Sequence, residues 1–205
     1  MLIVGLTGGV GSGKSTVLRL FKEQGSKILD VDSVVRQITK SGTGVYKEIK
    51  KTFGNRCFKK NGLLDRKKLG NIVFSNVQAR RRLNRITHPI IIKRLREIIS
   101  ISKHKKGIFV IEVPLLFEVH IENMFDKIVL CYLPLKTQIR RLAKERDISR
   151  QKAVMMIRSQ EPLFSKKKKS DFIINTRYSL KKVSKQVEDV YRILEKRHRV
   201  VIYGR

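Results

Sequence analysis

The sequence predicts an α/β fold in which helices cover both faces of a parallel β-sheet. Short apolar segments with the composition of buried strands alternate with segments of helical periodicity along the 205 residues. This alternation is typical of strand, helix, strand units, whose strands run parallel to one another. A glycine-rich segment between the first strand and the first helix is the second observation, and it is typical of a phosphate-binding loop.

The glycine-rich segment matches the pattern G-x-x-x-x-G-K-[ST] of a P-loop over residues 8–15. It follows the apolar run 2–6 and precedes the helical run 17–21, which is the context that the motif requires. Backbone N–H groups of such a loop surround a polyphosphate at the positive end of the following helix. We therefore expect a bound nucleoside triphosphate, with Lys14 at its β- and γ-phosphates and Ser15 at Mg²⁺. The nucleotide-binding residues predicted here are Gly11, Ser12, Gly13, Lys14, Ser15 and Thr16.

Further strands and helices follow from the apolar pattern. Four apolar runs have the length of buried strands, at residues 27–29, 107–113, 128–133 and 172–174. Pro89 is expected to begin a helix, because proline is favoured in the first helical turn. Helices are predicted for residues 33–39, 45–53, most of 61–102, 136–147, 149–159 and 179–197.

The order of these elements predicts three parts within a single domain. The core that contains the sheet takes residues 1–35, 105–135 and 170–196. Residues 36–104 carry few strand signals and are expected to form a helical substrate-binding subdomain. Residues 136–169 are rich in arginine and are expected to form a lid, because guanidinium groups bind phosphates and a closed lid excludes water.

Composition limits the classes of protein to which the chain can belong. The formal net charge is +30, and Lys and Arg occur in nearly every segment. This spread favours a solvated basic surface, including the run Lys166 to Lys169, over a specific nucleic-acid site, although weak binding to nucleic acid at low salt is expected. Cys57 and Cys131 match no metal or redox spacing, the opening apolar run is too short for a signal peptide, and no stretch has the length of a membrane span. A soluble, cytoplasmic protein is therefore expected.

Carboxylates follow two of the predicted strands. Asp32 lies just past the second strand, where the carboxyl ends of parallel strands face the ligand crevice. Its carboxylate could accept the proton of an attacking hydroxyl, or it could cap the next helix. Glu112 ends another strand, where an acid could hold Mg²⁺ through water or have no metal role. Four arginines of the predicted lid are candidates for phosphate contacts or for solvated charge: Arg140, Arg141, Arg146 and Arg158.

These motifs, in this order, make the chain resemble the dephospho-coenzyme A kinases. The resemblance covers residues 1 to about 195. One departure is Met156, which stands where the family often carries arginine. The segments that carry the resemblance are residues 5–16, Asp30-Val31-Asp32 with Arg36, His88-Pro89, residues 113–118, residues 138–146, Ser159-Gln160 and residues 171–175.

The resemblance implies a core sheet of five parallel strands and a kinase reaction. In that reaction the γ-phosphate of MgATP passes to the 3′-hydroxyl of the ribose in dephospho-CoA, which gives CoA and ADP. It implies that Asp32 is the base and that Lys14 and Arg141 are further catalytic residues. Residues expected at the acceptor site are Arg36, His88, Pro114, Leu115, Leu116 and Glu118.

Two other functions compete with this interpretation. A nucleoside or nucleotide kinase would share the fold and differ in its acceptor. A P-loop protein that uses ATP to drive binding to nucleic acid would show ATPase activity stimulated by DNA or RNA, but the sequence contains no recognised module for reading grooves or stacking bases. We expect no specific nucleic-acid partner and no membrane partner, and we favour a monomer.

Overall fold

The computed structural model describes the backbone of residues 1–203 and the side chains of residues 1–196. The predicted strands are confirmed to within two residues at each end. They are β1 (Leu2–Gly8), β2 (Lys27–Asp30), β3 (Ile108–Glu112), β4 (Lys127–Tyr132) and β5 (Phe172–Asn175). The helices of this described part are α1 (Lys14–Glu23), α2 (Val31–Ile38), α3 (Gly44–Phe53), α4 (Arg66–Ser75), α5 (Val77–Lys103), α6 (Leu135–Arg146), α7 (Arg150–Arg158), α8 (Leu163–Lys168) and α9 (Leu180–Tyr203).

The five strands form one parallel sheet in the order β2-β3-β1-β4-β5, which confirms the predicted fold class. Strand β1 lies in the centre, with Leu6 opposite Glu112 of β3 and Gly8 opposite Cys131 of β4. Because all five strands are parallel, their carboxyl ends lie along one edge of the sheet. The segments that follow β1, β2, β3 and β4 therefore all begin at this edge. The loop between β1 and α1 therefore begins at the middle of that edge.

The chain forms two compact units. The first unit comprises Met1–Asp30 and Ile99–Arg205 and contains the sheet. Its apolar core joins the sheet to α1 and α9, whose buried side chains recur at helical spacing. Residues that form this core include Val4, Leu6, Val17, Phe21, Val110, Val129, Ile174, Val183, Val187 and Leu194.

The second unit comprises Val31–Ile98 and is helical. It has an apolar core of its own, built around Val45, Ile49, Phe53, Phe58 and Leu69. Helix α4 begins at Arg66, because the side chain of Asp65 accepts a hydrogen bond from the N–H of Lys68 and so caps its first turn.

The prediction that Pro89 begins a helix is wrong, because Pro89 lies inside the 27-residue helix α5. A proline within a helix removes one backbone hydrogen bond. Here the apolar pattern runs through the proline from Leu83 and Ile86 to the fully buried Leu95, so packing keeps the segment helical. None of the helices in residues 1–203 is long and apolar enough to cross a membrane.

Candidate active site

The loop between β1 and α1 has the backbone conformation of a phosphate-binding cradle. Gly11 and Gly13 have φ angles of 71° and 77°, in the left-handed region that favours glycine. Gly13 is the residue that precedes helix α1, which begins at Lys14. The N–H groups of the first helical turn have no partner within the helix, so they are available to an anion.

Two further glycines of the loop lie against close neighbours. A Cβ atom on Gly8 would lie 2.7 Å from the carbonyl oxygen of Cys131, and a Cβ on Gly9 would lie 2.4 Å from Nε2 of Gln138. Both distances are shorter than van der Waals contact. A side chain at position 8 would therefore clash with the backbone of β4, and a side chain at position 9 would displace the amide of Gln138.

Lys14, Ser15 and Thr16 occupy the start of α1. The side chain of Lys14 is buried, and its Nζ donates a hydrogen bond to the carbonyl of Gly9 at 3.1 Å. Ser15 and Thr16 are exposed at the surface of this first turn. A buried ammonium group and an exposed hydroxyl group therefore stand side by side at the positive end of the helix.

Carboxylates collect at the same edge of the sheet. Asp30 ends β2 directly opposite Glu112 in the β2–β3 register, and Glu112 is only 7% exposed. The pKa of the buried thiol of Cys131 is raised to about 12. Burial is the main cause, the positive charge of Lys14 opposes it, and the negative charge of Glu112 adds to it. The ammonium group of Lys14 and the carboxylate of Glu112 are thus both close enough to the buried thiol of Cys131 to affect its ionisation.

Arg141 lies beside the P-loop. One of its guanidinium nitrogens, Nη2, donates to the carbonyl of Thr176 at 3.1 Å, and Nη1 lies 3.4 Å from the position that a Cβ on Gly13 would take. The hydroxyl of Thr176 in turn donates to the carbonyl of Ser12 at 2.8 Å. These groups border an open cavity of about 280 Å³ lined by Gly13, Thr16, Val17, Arg141, Glu145, Thr176, Tyr178, Leu180 and Val183.

The other arginines that the sequence singled out are exposed. Arg140 and Arg146 lie on α6, and Arg158 ends α7. Met156 is half-buried, also in α7. Of the arginines predicted for phosphate contacts, Arg141 is the one whose guanidinium group lies against Gly13 of the P-loop.

The segment after β3 is tied to the core and to α8. The hydroxyl of Thr7 donates to the carbonyl of Pro114 at 3.4 Å, and Leu116 is fully buried, packed against Gly5. Leu115 is half-buried next to it. The carboxylate of Glu118 accepts a hydrogen bond from Nζ of Lys166 at 2.7 Å.

The prediction that Lys166 to Lys169 form a solvated run is wrong for Lys166. Its side chain is completely buried in the ion pair with Glu118, whereas Lys167, Lys168 and Lys169 are exposed. The physical reason is the short helix α8, which directs one lysine of the run inward. Composition alone gives no sign of this, because the partner carboxylate is 48 residues away in the chain.

The remaining candidate residues belong to the second unit. Asp32 is exposed and lies in the first turn of α2, which begins at Val31, so it does not occupy the N-cap position. Arg36 is exposed in the last turn of the same helix, where its carbonyl accepts a hydrogen bond from Arg66 at 3.4 Å. His88 is half-buried in α5, and burial lowers the pKa of its imidazole.

Two glutamines near the loop lie in segments that carry the family resemblance, which assigns them no role. Gln138 and Gln160 both form hydrogen bonds with the backbone of Val10, between the glycines of the P-loop. Thr176, whose hydroxyl donates a hydrogen bond to the carbonyl of Ser12, is not among the site residues predicted from the sequence. The signal in the sequence is the helical spacing of Gln138 from Leu142, the other buried residue of α6, and the structure leaves Gln138 only 1% exposed.

A P-loop after the central strand of a five-stranded parallel sheet, with a basic helix beside it, defines the class of protein. The chain has the P-loop kinase fold. A solved dephospho-CoA kinase from Campylobacter jejuni has the same fold, with a TM-score of 0.72 and 28% identity over 95% of this chain and 97% of that one.

Comparison with known sequences then identifies the family. The family model for dephospho-CoA kinase matches residues 2–182. The dephospho-CoA kinase of Carboxydothermus hydrogenoformans is 39% identical over 187 residues, which is 90% of each chain. That of Bacillus licheniformis is 35% identical over 193 residues, 92% of this chain and 94% of the relative. The chain belongs to the dephospho-CoA kinase family.

Proposed function

We propose that this chain transfers the γ-phosphate of ATP to the 3′-hydroxyl of the ribose in dephospho-CoA, releasing CoA and ADP. The observation that carries the proposal is the P-loop with Lys14 at the start of α1, in a chain that matches the dephospho-CoA kinase family along most of its length. In this transfer the bond between the γ-phosphorus and the β,γ-bridging oxygen breaks. A bond from the 3′-oxygen to the γ-phosphorus forms, and the hydroxyl proton leaves.

The nucleotide would bind at the P-loop between β1 and α1, which belongs to the first unit. Backbone N–H groups from Gly11 to Thr16 surround the β-phosphate, and the Lys14 ammonium moves from the Gly9 carbonyl to the phosphates. Arg141 stabilises the charge that spreads over the transferred phosphoryl group. Its place beside Gly13 supports this role.

The residues at the loop also fit a magnesium ion. Mg²⁺ prefers oxygen ligands and retains several waters, so it needs few protein ligands. The exposed hydroxyl of Ser15 is the oxygen that would hold it, with the carboxylates of Asp30 and Glu112 at the same edge of the sheet. The ion would neutralise phosphate charge when bound.

The acceptor hydroxyl would be activated by Asp32. The exposed carboxylate of Asp32 can accept the hydroxyl proton, because it lies two residues after β2 ends at the ligand-binding edge of the sheet. Arg36 is exposed and can bind a phosphate of dephospho-CoA. His88, Pro114, Leu115, Leu116 and Glu118 complete the proposed acceptor site, with Leu116 acting from within the core.

These roles assign a function to each part of the chain. Residues 36–104 form the substrate-binding subdomain, and residues 136–169 form the lid that carries Arg141. The free thiols Cys57 and Cys131 suit a reducing compartment, which supports a cytoplasmic location. We propose a monomer as the active species.

An assay of ADP release with different acceptors tests the function. Dephospho-CoA should give rapid turnover, while adenosine, nucleoside monophosphates and DNA should leave ADP release at the background rate. Fast turnover with a nucleoside or a nucleoside monophosphate would transfer the assignment to another kinase of this fold. Stimulation by DNA instead would favour an ATPase that acts on nucleic acid.

A further inference from the structure

Two side-chain amides form hydrogen bonds with the backbone of one P-loop residue, Val10. The N–H of Val10 donates to Oε1 of Gln160 at 2.9 Å, and Nε2 of Gln138 donates to the carbonyl of Val10 at 2.7 Å. The two glutamines are 150 and 128 residues away from Val10 in the sequence. We propose that this pair, the glutamine clamp, consists of positioning residues that hold the P-loop in its phosphate-binding shape before ATP arrives.

The direction of each hydrogen bond follows from its backbone partner. A backbone N–H can only donate, so Gln160 must present its oxygen to Val10. A backbone carbonyl can only accept, so Gln138 must present its NH₂ group. The two amides are therefore not interchangeable, although both come from glutamine.

Gln138 reaches the loop from a buried position. It lies on α6, is 1% exposed, and approaches Gly9 so closely that any side chain there would displace its amide. Helix α6 also carries Arg141, the proposed phosphate contact. The same helix thus fixes the loop and supplies a basic group beside it.

Gln160 is anchored through its neighbour in the chain. The N–H of Glu161 donates to Oε1 of Glu118 at 3.0 Å, and the same oxygen accepts from the buried Lys166. Lys169 forms a further ion pair with Glu161 at 2.9 Å. The turn between α7 and α8 is therefore tied both to the P-loop and to the segment after β3.

The glutamine clamp reduces the conformational freedom of a loop that is rich in glycine. Glycine has more conformational freedom than any other residue, so an unrestrained loop would lose much entropy on binding a nucleotide. With the backbone N–H and the carbonyl of Val10 both hydrogen-bonded, two successive peptide groups of the loop are fixed, so the loop has fewer alternative conformations. ATP then meets preoriented N–H groups, which is the general advantage of preorganisation in binding.

The inference rests on the proposed binding of ATP at this loop, and direct binding measurements test it without any acceptor. We compare Gln138→Met and Gln160→Met, which remove the hydrogen bonds and keep the shape of the side chain, with Gln151→Met on the exposed surface of α7. Each clamp variant should weaken the Kd of ATP, measured by calorimetry, by about 2- to 10-fold, as expected for one hydrogen bond. Gln151→Met should bind ATP like the wild type.

Kinetics distinguish positioning from a purely structural role. The KM for ATP should rise in the clamp variants in parallel with Kd, while kcat and the KM for dephospho-CoA change by less than about 2-fold, because uniform binding energy is lost. A lower melting temperature with an unchanged Kd and KM for ATP would overturn the proposal. If the wild type binds ATP but does not phosphorylate dephospho-CoA, the function fails and the binding test of the clamp still stands.

A pair of glutamate variants tests the direction of the two hydrogen bonds. Both Gln160→Glu and Gln138→Glu add one negative charge beside Val10, so repulsion of the nucleotide is common to them. Only Gln160→Glu keeps the acceptor that its partner needs, whereas Gln138→Glu places a carboxylate against a carbonyl oxygen. Gln138→Glu should therefore bind ATP at least about 5-fold more weakly than Gln160→Glu, and equal or reversed affinities would contradict the clamp.

Discussion

Nζ of Lys166 lies 2.7 Å from Oε1 of Glu118, and the lysine side chain is completely buried while the glutamate is 20% exposed. Removing one partner of a buried ion pair leaves the other charge poorly solvated. We therefore expect Lys166→Met to destabilise the fold by roughly 2–4 kcal/mol, because it removes the only charge that faces the carboxylate of Glu118 in this ion pair. Thermal unfolding should show a melting temperature lower by roughly 6–12 °C.

The adjacent Lys167 supplies the control for this prediction. It is exposed, so Lys167→Met should leave the melting temperature close to that of the wild type. Equal stability of the two variants would show that the buried ion pair makes no net contribution.

Asp32→Asn separates catalysis from helix stability. The substitution keeps the size and a hydrogen-bonding side chain but removes the basic oxygen, so kcat should fall by about 10²- to 10⁴-fold with little change in ATP affinity. The matched control is Asp65→Asn, a true N-cap, where asparagine caps about as well as aspartate and activity should persist. A kcat near that of the wild type in a stable Asp32→Asn protein would refute Asp32 as the base.

The sequence predicts the parts of this molecule that depend on local pattern. The P-loop spacing, the five apolar strands and the alternation with helices are local features, and the structure confirms them. Burial of Lys166 and the contacts of Gln138 and Gln160 with Val10 join residues at least 48 positions apart, so periodicity cannot reveal them. Pro89 misleads for a related reason, because packing of α5 outweighs the local preference of proline.

Stability should decline in alkaline solution because of Cys131. Burial raises the pKa of this thiol from 9.0 to about 12, so above pH 9 the unfolded chain loses a proton that the folded chain keeps. Unfolding is therefore favoured progressively between pH 9 and about 12, by roughly 2 kcal/mol at pH 10.5, with no effect below pH 9. Thermal unfolding from pH 8 to 10.5 should show a steeper loss for the wild type than for Cys131→Ala. Parallel curves would exclude this linkage.

The net charge of +30 predicts weak, salt-sensitive binding to DNA. Contacts with phosphates release counterions, so the affinity should fall at least about 100-fold between roughly 50 and 200 mM salt and should not depend on sequence. Fluorescence anisotropy with two unrelated duplexes measures both properties. Binding that survives 200 mM salt and prefers one duplex would instead indicate a specific nucleic-acid site.

Identification of the product tests the central claim most directly. The purified chain is incubated with ATP, Mg²⁺ and dephospho-CoA, and the products are analysed by mass spectrometry and ³¹P NMR, with Lys14→Ala as the inactive control. We predict equal amounts of ADP and CoA, with the new phosphate on the 3′-oxygen, and a rate at least ~10²-fold lower for Lys14→Ala. Release of ADP without CoA, phosphate at another position, or unchanged activity in a folded Lys14→Ala protein would contradict the account.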